Sequence, residues 1–305
     1  MTKVLIATDK PFAKVAADKI KGIIEAAGYQ AVFLEKYTEH QDFVDAAKDA
    51  DAIIIRSDKA NKAVIDSAEK LKIIVRAGAG YDNVDLEAAT AKGVVVMNTP
   101  GQNSNAVAEL ALGMMVYVAR NQFNGSSGTE LKDKTIGIHG YGHVSKNVAR
   151  IAKGFGMKAV TYAPSKNPDD IRKDGVEVVD TVEALYSQSN FLSLNIPAYD
   201  RNKKSINYAL LSKMPANAML VNTARKEVID EAGLKQMLSE RKDFKYVSDI
   251  APDNAAELKE MGAQVFFTPK KMGAQTSEAN INAGIAAANQ IIAFIEKGDT
   301  SFKVN

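Results

Sequence analysis

The stretch that decides the fold is Lys134-Thr-Ile-Gly-Ile-His-Gly-Tyr-Gly-His-Val-Ser-Lys146. An apolar run leads into a turn with Gly140 and Gly142, and the residues that follow have the apolar spacing of a helix. In a strand, turn and helix of this kind, the first glycine permits the tight turn and the second lets the backbone approach a pyrophosphate. The N–H groups and dipole of the helix N-terminus attract that anion. The stretch therefore predicts the start of a dinucleotide-binding fold, with His143 and Val144 at the same helix N-terminus.

This stretch departs from the full G-x-G-x-x-G pattern in one position. Ser145 stands where the third glycine belongs, and it is still small enough for a helix to pack closely on a strand. Taken alone, the stretch also fits a tight strand-to-helix turn that binds no ligand. His139 and His143 flank the turn and either contact the cofactor or pack, whereas His40 lies in a polar stretch and is expected to be solvated.

Length and composition limit the class of protein. A chain of 305 residues is long enough for two domains, and its net charge of +2 gives no bulk attraction for nucleic acid or a membrane surface. An anionic partner must therefore bind at a local site. The absence of cysteine excludes disulfides, thiolate nucleophiles and cysteine-based metal sites, and no metal ion is expected. Because neither a signal peptide nor a membrane span is apparent, we expect a cytoplasmic protein.

Strands and helices alternate along the whole chain. Before the glycine-rich stretch, five short apolar runs predict a parallel, doubly wound α/β sheet: 4–7, 31–34, 52–56, 73–77 and 94–97. After a long helix over 105–120, seven more strands predict a second sheet: 135–139, 159–162, 176–179, 191–195, 219–222, 246–248 and 265–268. A final helix over 277–297 carries an apolar stripe of isoleucines. The first sheet lacks a glycine-rich phosphate loop, so we expect it to serve the substrate, in a cleft between the two domains.

Basic residues follow two strands of the first sheet. Arg56 closes the run 52–56, and Arg76 closes the run 73–76 and is followed by Gly78 and Gly80. Guanidinium groups and the backbone N–H groups of glycines bind carboxylates and phosphates. Either arginine alone can be structural, but their repetition at equivalent strand ends indicates an anionic substrate.

Two strands of the second sheet are also followed by basic residues. Arg225 comes after the strand over 219–222, where its guanidinium can bind a carboxylate through two N–H groups or polarise a carbonyl group. Lys270 and Lys271 follow the strand over 265–268. The alternative for each of them is a solvated surface position after a strand.

Six motifs, taken in order, resemble the D-2-hydroxyacid dehydrogenases: Arg76-Ala-Gly-Ala-Gly-Tyr-Asp-Asn-Val-Asp85, Met97-Asn-Thr-Pro100, Ala108-Glu-Leu-Ala111, Gly137-Ile-His-Gly-Tyr-Gly142, Asn222-Thr-Ala-Arg225 and Thr268-Pro-Lys270. The resemblance runs nearly end to end, and the first motif is most similar to the D-3-phosphoglycerate dehydrogenases of that family. It implies a flavodoxin-like substrate domain, residues 1–99 plus 276–305, and an inserted Rossmann nucleotide-binding domain, residues 100–275. It also implies NAD as cofactor and a homodimer.

The resemblance implies a role for individual residues. Arg225 holds the substrate carboxylate and polarises the reacting oxygen. The other substrate-binding positions are Arg56, Arg76, Gly78 and Asn103. The cofactor-binding positions are Gly140, Gly142, His143, Val144, Ala163, Ser165, Ile196, Pro197, Ala224, Asp249 and Gly273.

Two departures from the family pattern concern the catalytic base. Lys270 replaces the histidine of Thr-Pro-His, and the acid that pairs with this histidine is missing, with Asp253 as the nearest substitute. A histidine needs an acid to fix its tautomer, whereas an amine has no tautomer, so the two changes belong together. We expect Lys270 to take the hydroxyl proton, with its pKa lowered by desolvation and by Arg225 and Lys271. A short, lysine-containing branch of the phosphoglycerate dehydrogenases is similar.

A third departure concerns the choice of cofactor. An acid usually binds the adenosine ribose about 20 residues after the first glycine, and Ala163 stands there instead. Ser165 and Lys166 can accept a 2′-phosphate, so NADP is the alternative to the expected NAD.

The expected reaction is the oxidation of D-3-phosphoglycerate to 3-phosphohydroxypyruvate, the first step of serine biosynthesis. The alternatives are another D-2-hydroxyacid enzyme, such as a glyoxylate or hydroxypyruvate reductase, and a non-catalytic dinucleotide sensor. Since few residues follow the final helix, we expect no inhibition by serine through a C-terminal regulatory domain.

Overall fold

The computed structural model describes all 305 residues, and the chain divides into two compact units. The first contains Met1–Asn103 and Ala274–Asn305, and the second contains Ser104–Gly273. The sequence-based boundaries, at 99/100 and 275/276, lie a few residues away. Each unit contains one parallel sheet with helices between its strands, which confirms the predicted α/β class with two doubly wound sheets.

The first unit is built on a five-stranded sheet. Its elements are β1 Lys3–Thr8, α1 Lys14–Ala26, β2 Gln30–Glu35, α2 His40–Ala47, β3 Ala52–Ile55, α3 Lys62–Ser67, β4 Ile73–Arg76, α4 Leu86–Ala91 and β5 Val95–Asn98. The strand order β2-β1-β3-β4-β5 is the flavodoxin-like order. It reverses between β1 and β3, so the residues that follow these two strands meet at the carboxyl edge.

The strands of this sheet are buried on both faces. Val4–Ala7 and Ile53–Ile55 are fully buried, which is why both runs are uninterrupted apolar sequence instead of an alternating pattern. The sequence pattern does not predict α2, because charged residues surround its two buried side chains, Phe43 and Ala47. His40 begins this helix with an exposed ring, and its Nε2 lies 3.1 Å from the side-chain oxygen of Asn61.

The second unit is built on a seven-stranded parallel sheet. Its elements are α5 Ser104–Ala119, β6 Thr135–His139, α6 His143–Gly154, β7 Lys158–Tyr162, α7 Pro168–Lys173, β8 Glu177–Val178, α8 Val182–Ser187, β9 Phe191–Leu194, α9 Tyr208–Leu211, β10 Met219–Asn222, α10 Glu231–Glu240, β11 Lys245–Ser248, α11 Ala255–Lys259 and β12 Val265–Phe267. The order β12-β11-β10-β9-β6-β7-β8 is that of a Rossmann sheet extended by one strand. The order reverses between β6 and β9, so the glycine-rich turn after β6 lies at the switch point.

The last helix, α12 Ser277–Lys297, returns to the first unit and packs on α1. Thr276 caps its N-terminus, and Gly298 ends it in the left-handed conformation. The buried stripe is made mainly of small residues and not of the predicted isoleucines, of which only Ile291 is fully buried: Ala279, Ala283, Gly284, Ala287, Ala288 and Ile291. Small side chains allow two helices to approach closely. None of the helices combines the length and the apolar content needed to cross a membrane.

The C-terminal residues pair with the outer edge of β5. The Val304 N–H donates to the carbonyl of Val96 at 2.9 Å, and the Val96 N–H donates to the side chain of Asn305 at 2.8 Å. An open strand edge would otherwise be free to pair with another chain.

At two helical glycines, we expect substitution by alanine to have opposite effects on the free energy of unfolding. In α12, a Cβ at Gly284 would lie 2.6 Å from the Cδ1 of Ile20, which is fully buried, whereas a Cβ at Gly113 in α5 would meet nothing within 4 Å. We expect Gly284→Ala to lower the free energy of unfolding by about 1–3 kcal/mol, because overpacking outweighs the gain in helix propensity. Gly113→Ala should raise it by up to about 1 kcal/mol. Urea unfolding of both variants tests this, and equal effects would contradict it.

Candidate active site

The turn after β6 requires glycine at position 140. Gly140 has a φ of 88°, and a Cβ there would lie 2.9 Å from the carbonyl oxygen of Asn195 and 3.1 Å from the Ile196 side chain. The Gly140 N–H donates to the carbonyl of Tyr162 at 2.9 Å. The turn is therefore held between the ends of β7 and β9, at the reversal of strand order.

The N-terminus of α6 is open. Gly142 precedes the helix, no side chain caps it, and the first helical hydrogen bond runs from Lys146 N–H to the Gly142 carbonyl at 3.0 Å. A Cβ on Gly142 would meet nothing within 4 Å. No side chain therefore caps the N–H groups of the first turn, and an uncapped helix N-terminus of this kind favours an anion.

Ser145 does more than replace the third glycine of the pattern. Its side chain is fully buried, and its Oγ donates to the carbonyl of Gly140 at 2.9 Å. The hydroxyl therefore ties the helix back to the turn, a contact that glycine cannot make.

The two histidines at the turn have different environments. His143 is exposed at the start of α6. His139 is buried between the rings of Tyr162 and Tyr186, with its Nδ1 3.3 Å from the Tyr186 hydroxyl. Of the two predicted alternatives, His139 therefore packs. Burial lowers its pKa to about 4, so the ring is neutral at pH 7.

No acid stands at the end of β7. Ala163 is buried, and Ser165 and Lys166 are exposed in a turn closed by a hydrogen bond from Lys166 N–H to the Ala163 carbonyl at 3.0 Å. This part of the edge offers a hydroxyl and an ammonium group, without a carboxylate.

The loop that carries Arg225 is held by a buried side chain. The amide oxygen of Asn222 accepts from Ala224 N–H at 3.0 Å, and its nitrogen donates to the carbonyl of Arg225 at 3.0 Å. Arg225 is half-buried, and its Nη1 donates to the carbonyl of Ala224 at 3.0 Å. Asn222 therefore positions Arg225 by holding the main chain on both sides of it, a role that the motif alone does not reveal.

Asp249, which directly follows β11, has one carboxylate oxygen bound and one without a partner. It is 1% exposed, its Oδ2 accepts from Gly273 N–H at 2.8 Å, and its buried Oδ1 has no hydrogen-bond partner. Burial raises the pKa of this carboxyl, and the Gly273 N–H partly offsets that effect. A Cβ at Gly273 would lie 2.9 Å from Oδ2, so glycine allows the contact. A buried acceptor without a partner indicates a place for a ligand donor.

Lys270 lies after β12 with its side chain exposed. The Thr268 hydroxyl donates to its carbonyl at 2.8 Å and so orders the main chain at this point. The burial that was expected to lower the pKa of Lys270 is absent from this structure. The neighbouring Lys271 reaches the Arg225 loop, with its Nζ 3.4 Å from the carbonyl of Ala224.

Asp253 does not take the place of the missing acid. Its carboxylate pairs with Lys226, its side chain is 78% exposed, and its N–H donates to Glu231 at 2.8 Å. No hydrogen bond or ion pair joins it to Lys270. The carboxylate of Asp253 is thus paired with Lys226 and is not an acidic partner of Lys270.

The two residues predicted to line the cofactor after β9 differ in their exposure. Ile196 is half-buried beside the glycine turn, and Pro197 is exposed, with its carbonyl accepting from the Asn202 side chain at 2.8 Å.

In the first unit, the guanidinium of Arg56 is engaged by the protein. Its Nη1 donates to the carbonyls of Lys10 at 3.0 Å and Pro11 at 3.3 Å, its Nη2 bonds to Asn280, and it lies over the ring of Phe12. Burial lowers the pKa of this group. Arg56 therefore ties the loop after β1 to α12, which is a structural role.

Arg76 is oriented by main-chain contacts. Its Nε donates to the carbonyl of Arg56 at 2.9 Å, and a Cβ on Gly78 would lie 1.6 Å from its Nη1. Gly78, with a φ of 152°, thus leaves room for the guanidinium to fold back over the chain. Asn103, the last residue before the second unit, is half-buried.

Comparison with known proteins decides the family. The profile of the D-isomer specific 2-hydroxyacid dehydrogenase catalytic domain matches residues 6–305. The chain belongs to this family.

Individual members of the family differ in their activities. The chain is 36% identical over 267 residues to D-3-phosphoglycerate dehydrogenase of Methanocaldococcus jannaschii, covering 82% of this chain and 51% of that protein. It is 32% identical to hydroxypyruvate reductase of Thermotoga maritima, covering 84% and 88% of the two chains. A crystal structure of NAD+-bound 3-phosphoglycerate dehydrogenase from Entamoeba histolytica is 46% identical, with a TM-score of 0.90 and coverage of 100% and 98%.

The relatives also differ in length. The chain spans about half the length of the curated phosphoglycerate dehydrogenases from Methanocaldococcus jannaschii and Synechocystis, but most of the hydroxypyruvate reductase. The family is thus established on the shared domains, and the substrate is a separate question.

The buried His139 predicts how stability depends on pH. Its imidazole takes up a proton near pH 6.5 in the unfolded chain and near pH 4 in the folded one, so its contribution to stability is complete above pH 6.5 and is lost as the pH falls to 4. The loss is at most about 3 kcal/mol. Urea unfolding between pH 8 and pH 4 should show this decline, and His139→Gln should flatten it. His40→Gln, at an exposed position, is the control, and an unchanged slope in His139→Gln would refute the assignment.

Proposed function

We propose that this protein oxidises D-3-phosphoglycerate to 3-phosphohydroxypyruvate, with NAD as the hydride acceptor. The observation that carries the proposal is the Asn222-held Arg225 loop, which lies on the same carboxyl edge of one sheet as the open N-terminus of α6. The similarity to an NAD+-bound phosphoglycerate dehydrogenase over the whole chain supports both the substrate and the cofactor. As the resemblance of the sequence to this family implies, we also propose a homodimer, which light scattering tests.

The residues of the second unit fit a nicotinamide dinucleotide. The turn at Gly140 and Gly142 and the N–H groups of His143 and Val144 would hold the pyrophosphate, since no protein group caps them. Asp249 Oδ1, buried and without a partner, suits an amide donor such as the carboxamide of the nicotinamide. The other positions proposed to line the cofactor are Ala163, Ser165, Ile196, Pro197, Ala224 and Gly273. When bound, NAD supplies the acceptor for the hydride.

Each step of the reaction has a proposed protein group. Arg225 binds the substrate carboxylate and polarises the oxygen on the reacting carbon, since its planar guanidinium presents paired N–H donors. Lys270, as the neutral amine, accepts the hydroxyl proton while the hydride leaves the same carbon, and the C–O bond becomes the ketone. Lys271, beside the Ala224 carbonyl, adds positive charge near the Arg225 loop.

Recognition of the phosphate falls mainly to Arg76 and the backbone at Gly78. The guanidinium of Arg56 is already bound to two carbonyls, Asn280 and the face of Phe12, so we assign it a supporting role. Asn103 remains a proposed contact.

A smaller 2-hydroxyacid is the second candidate substrate. The similarity to a hydroxypyruvate reductase covers 88% of that protein's length, more than the chain covers of the phosphoglycerate dehydrogenases from Methanocaldococcus jannaschii and Synechocystis. The first test is a comparison of kcat/KM for D-3-phosphoglycerate oxidation with that for the reduction of 3-phosphohydroxypyruvate, hydroxypyruvate and glyoxylate. Equal or higher values for the unphosphorylated acids would favour the second candidate, and binding of the cofactor without any turnover would favour the sensor.

Removing the proposed base should abolish the chemistry. We expect Lys270→Ala to lower kcat for D-3-phosphoglycerate oxidation by about 10²–10⁴-fold, the usual contribution of general acid–base catalysis. Turnover is measured by the absorbance of the reduced nicotinamide.

The matched control for this experiment is Lys213→Ala, at another exposed lysine of the second unit, whose N–H donates to the Leu210 carbonyl and whose side chain makes no hydrogen bond or ion pair. It should retain native turnover. A Lys270→Ala enzyme as fast as the control would remove Lys270 from the mechanism.

The absence of an acid after β7 predicts that the protein accepts NADP as well as NAD. Because no carboxylate repels a 2′-phosphate at Ala163, the native protein should use NADP measurably, although less well than NAD. Ala163→Asp should raise the NAD-to-NADP ratio of kcat/KM by about tenfold or more through charge repulsion. Asn167→Asp adds the same charge a few residues away and preserves the cap of α7, so it serves as the control. An unchanged ratio in Ala163→Asp would contradict the assignment of the ribose site.

A further inference from the structure

The buried acid Asp58 lies close to the two arginines of the first unit. It is 6% exposed and follows β3 by three residues, at the point where the strand order of this sheet reverses. An anion-binding site gains nothing from a nearby negative charge, since a carboxylate repels an anionic substrate. The presence of Asp58 therefore calls for a physical explanation.

The contacts of Asp58 organise the main chain. Its Oδ1 accepts from Asp9 N–H at 2.7 Å and from the Tyr37 hydroxyl at 2.6 Å, and its Oδ2 accepts from Arg56 N–H at 3.4 Å. Burial, together with Asp58, raises the pKa of Tyr37, so this hydroxyl keeps its proton and donates at neutral pH. Asp58 thus joins the ends of β1 and β3 by binding their N–H groups, and it makes no ion pair with the guanidinium of Arg56.

A second side chain completes the network. Asn83 donates from its Nδ2 to the carbonyls of Asp58 at 2.6 Å and Arg56 at 3.2 Å. The Arg56 carbonyl is also the acceptor for the Arg76 Nε at 2.9 Å. The Arg56 peptide is therefore held through its N–H by Asp58 and through its carbonyl by Asn83, and that same carbonyl orients Arg76.

We propose that Asp58, with Tyr37 and Asn83, is a positioning residue for substrate recognition: it fixes the Arg56 peptide, whose carbonyl aims the Arg76 guanidinium at the anionic end of the substrate. The proposal rests on the proposed function, because it assigns the phosphate of D-3-phosphoglycerate to Arg76. Asp58 acts through the backbone and does not touch the substrate.

The substitution Asp58→Asn distinguishes a positioning role from an electrostatic role, because the two roles predict opposite changes in KM for D-3-phosphoglycerate. If the amide oxygen of the new asparagine still accepts the hydrogen bonds from Asp9 and Tyr37, its amide nitrogen faces the Arg56 N–H. Two donors cannot bind each other, so the peptide that orients Arg76 shifts. Positioning thus predicts a KM for D-3-phosphoglycerate that rises about tenfold, with kcat within about twofold, because binding is lost equally in ground state and transition state. An electrostatic role predicts the reverse, since removing a negative charge would lower KM.

Two comparisons exclude a merely structural role. Asp85→Asn makes the same change of charge in the same unit, at a helix cap that asparagine also serves, and it should leave KM unchanged. In an Arg76→Ala background, Asp58→Asn should change KM by less than about twofold, because the group that it positions is gone. Tyr37→Phe removes a single donor and should raise KM in the same direction, which keeps the test available if Asp58→Asn folds poorly.

The outcomes are distinct. A lowered or unchanged KM in Asp58→Asn, or effects of Asp58→Asn and Arg76→Ala that add independently, would overturn the positioning role. A native protein that does not oxidise D-3-phosphoglycerate would instead defeat the proposed function. The same double-variant cycle is then run on the 2-hydroxyacid that the protein accepts. If the substitutions at positions 58 and 76 change its KM independently, the inference is overturned.

Discussion

The backbone turn at Gly140 is the constraint on which the second unit depends. Its positive φ and its approach to the Asn195 carbonyl admit no side chain, and its N–H is bound by the end of β7. Because β6 lies between β7 and β9, this one turn meets the ends of both neighbouring strands. The direction of α6, and with it the open set of N–H groups at its start, follows from the turn.

Main-chain carbonyls accept hydrogen bonds from three arginines of this protein. Arg56 donates to the carbonyls of Lys10 and Pro11, Arg76 to that of Arg56, and Arg225 to that of Ala224. Each carbonyl fixes the direction of the N–H group that it binds. Asn222 and Asn83 act indirectly, because their side chains form hydrogen bonds with the main chain at or next to these carbonyls.

The replacement of histidine by lysine at position 270 is consistent with its surroundings. The nearest candidate acid, Asp253, is paired with Lys226, so an imidazole at position 270 would gain no tautomer-fixing partner from it. An amine needs none. Under the proposed mechanism, the two departures from the family pattern are one physical change, in which a base that requires orientation by an acid gives way to one that does not.

The class of fold, the sheet strands, the glycine-rich turn and the motifs of the family can be read from the amino-acid sequence alone. These features are encoded locally: apolar runs of strand length, glycines where only glycine fits, and basic residues directly after strands. The sequence also predicted separate roles for the two glycines, Gly140 for the tight turn and Gly142 for the approach of the backbone to a pyrophosphate. In the structure the protein's own backbone requires the first, whereas a Cβ on the second would meet nothing within 4 Å.

Which polar groups already have hydrogen-bond or ion-pair partners depends on how the chain packs in three dimensions. The sequence cannot show that Arg56 is bound by two carbonyls, that Asp253 is captured by Lys226, or that His139 is buried by Tyr186, because these partners come from distant parts of the chain. Nor can it show that Lys270 is exposed, or that α12 packs through alanines and a glycine in place of its isoleucines. Hydrogen bonding and burial depend on which elements meet in space, and a sequence pattern records only which residues neighbour one another along the chain.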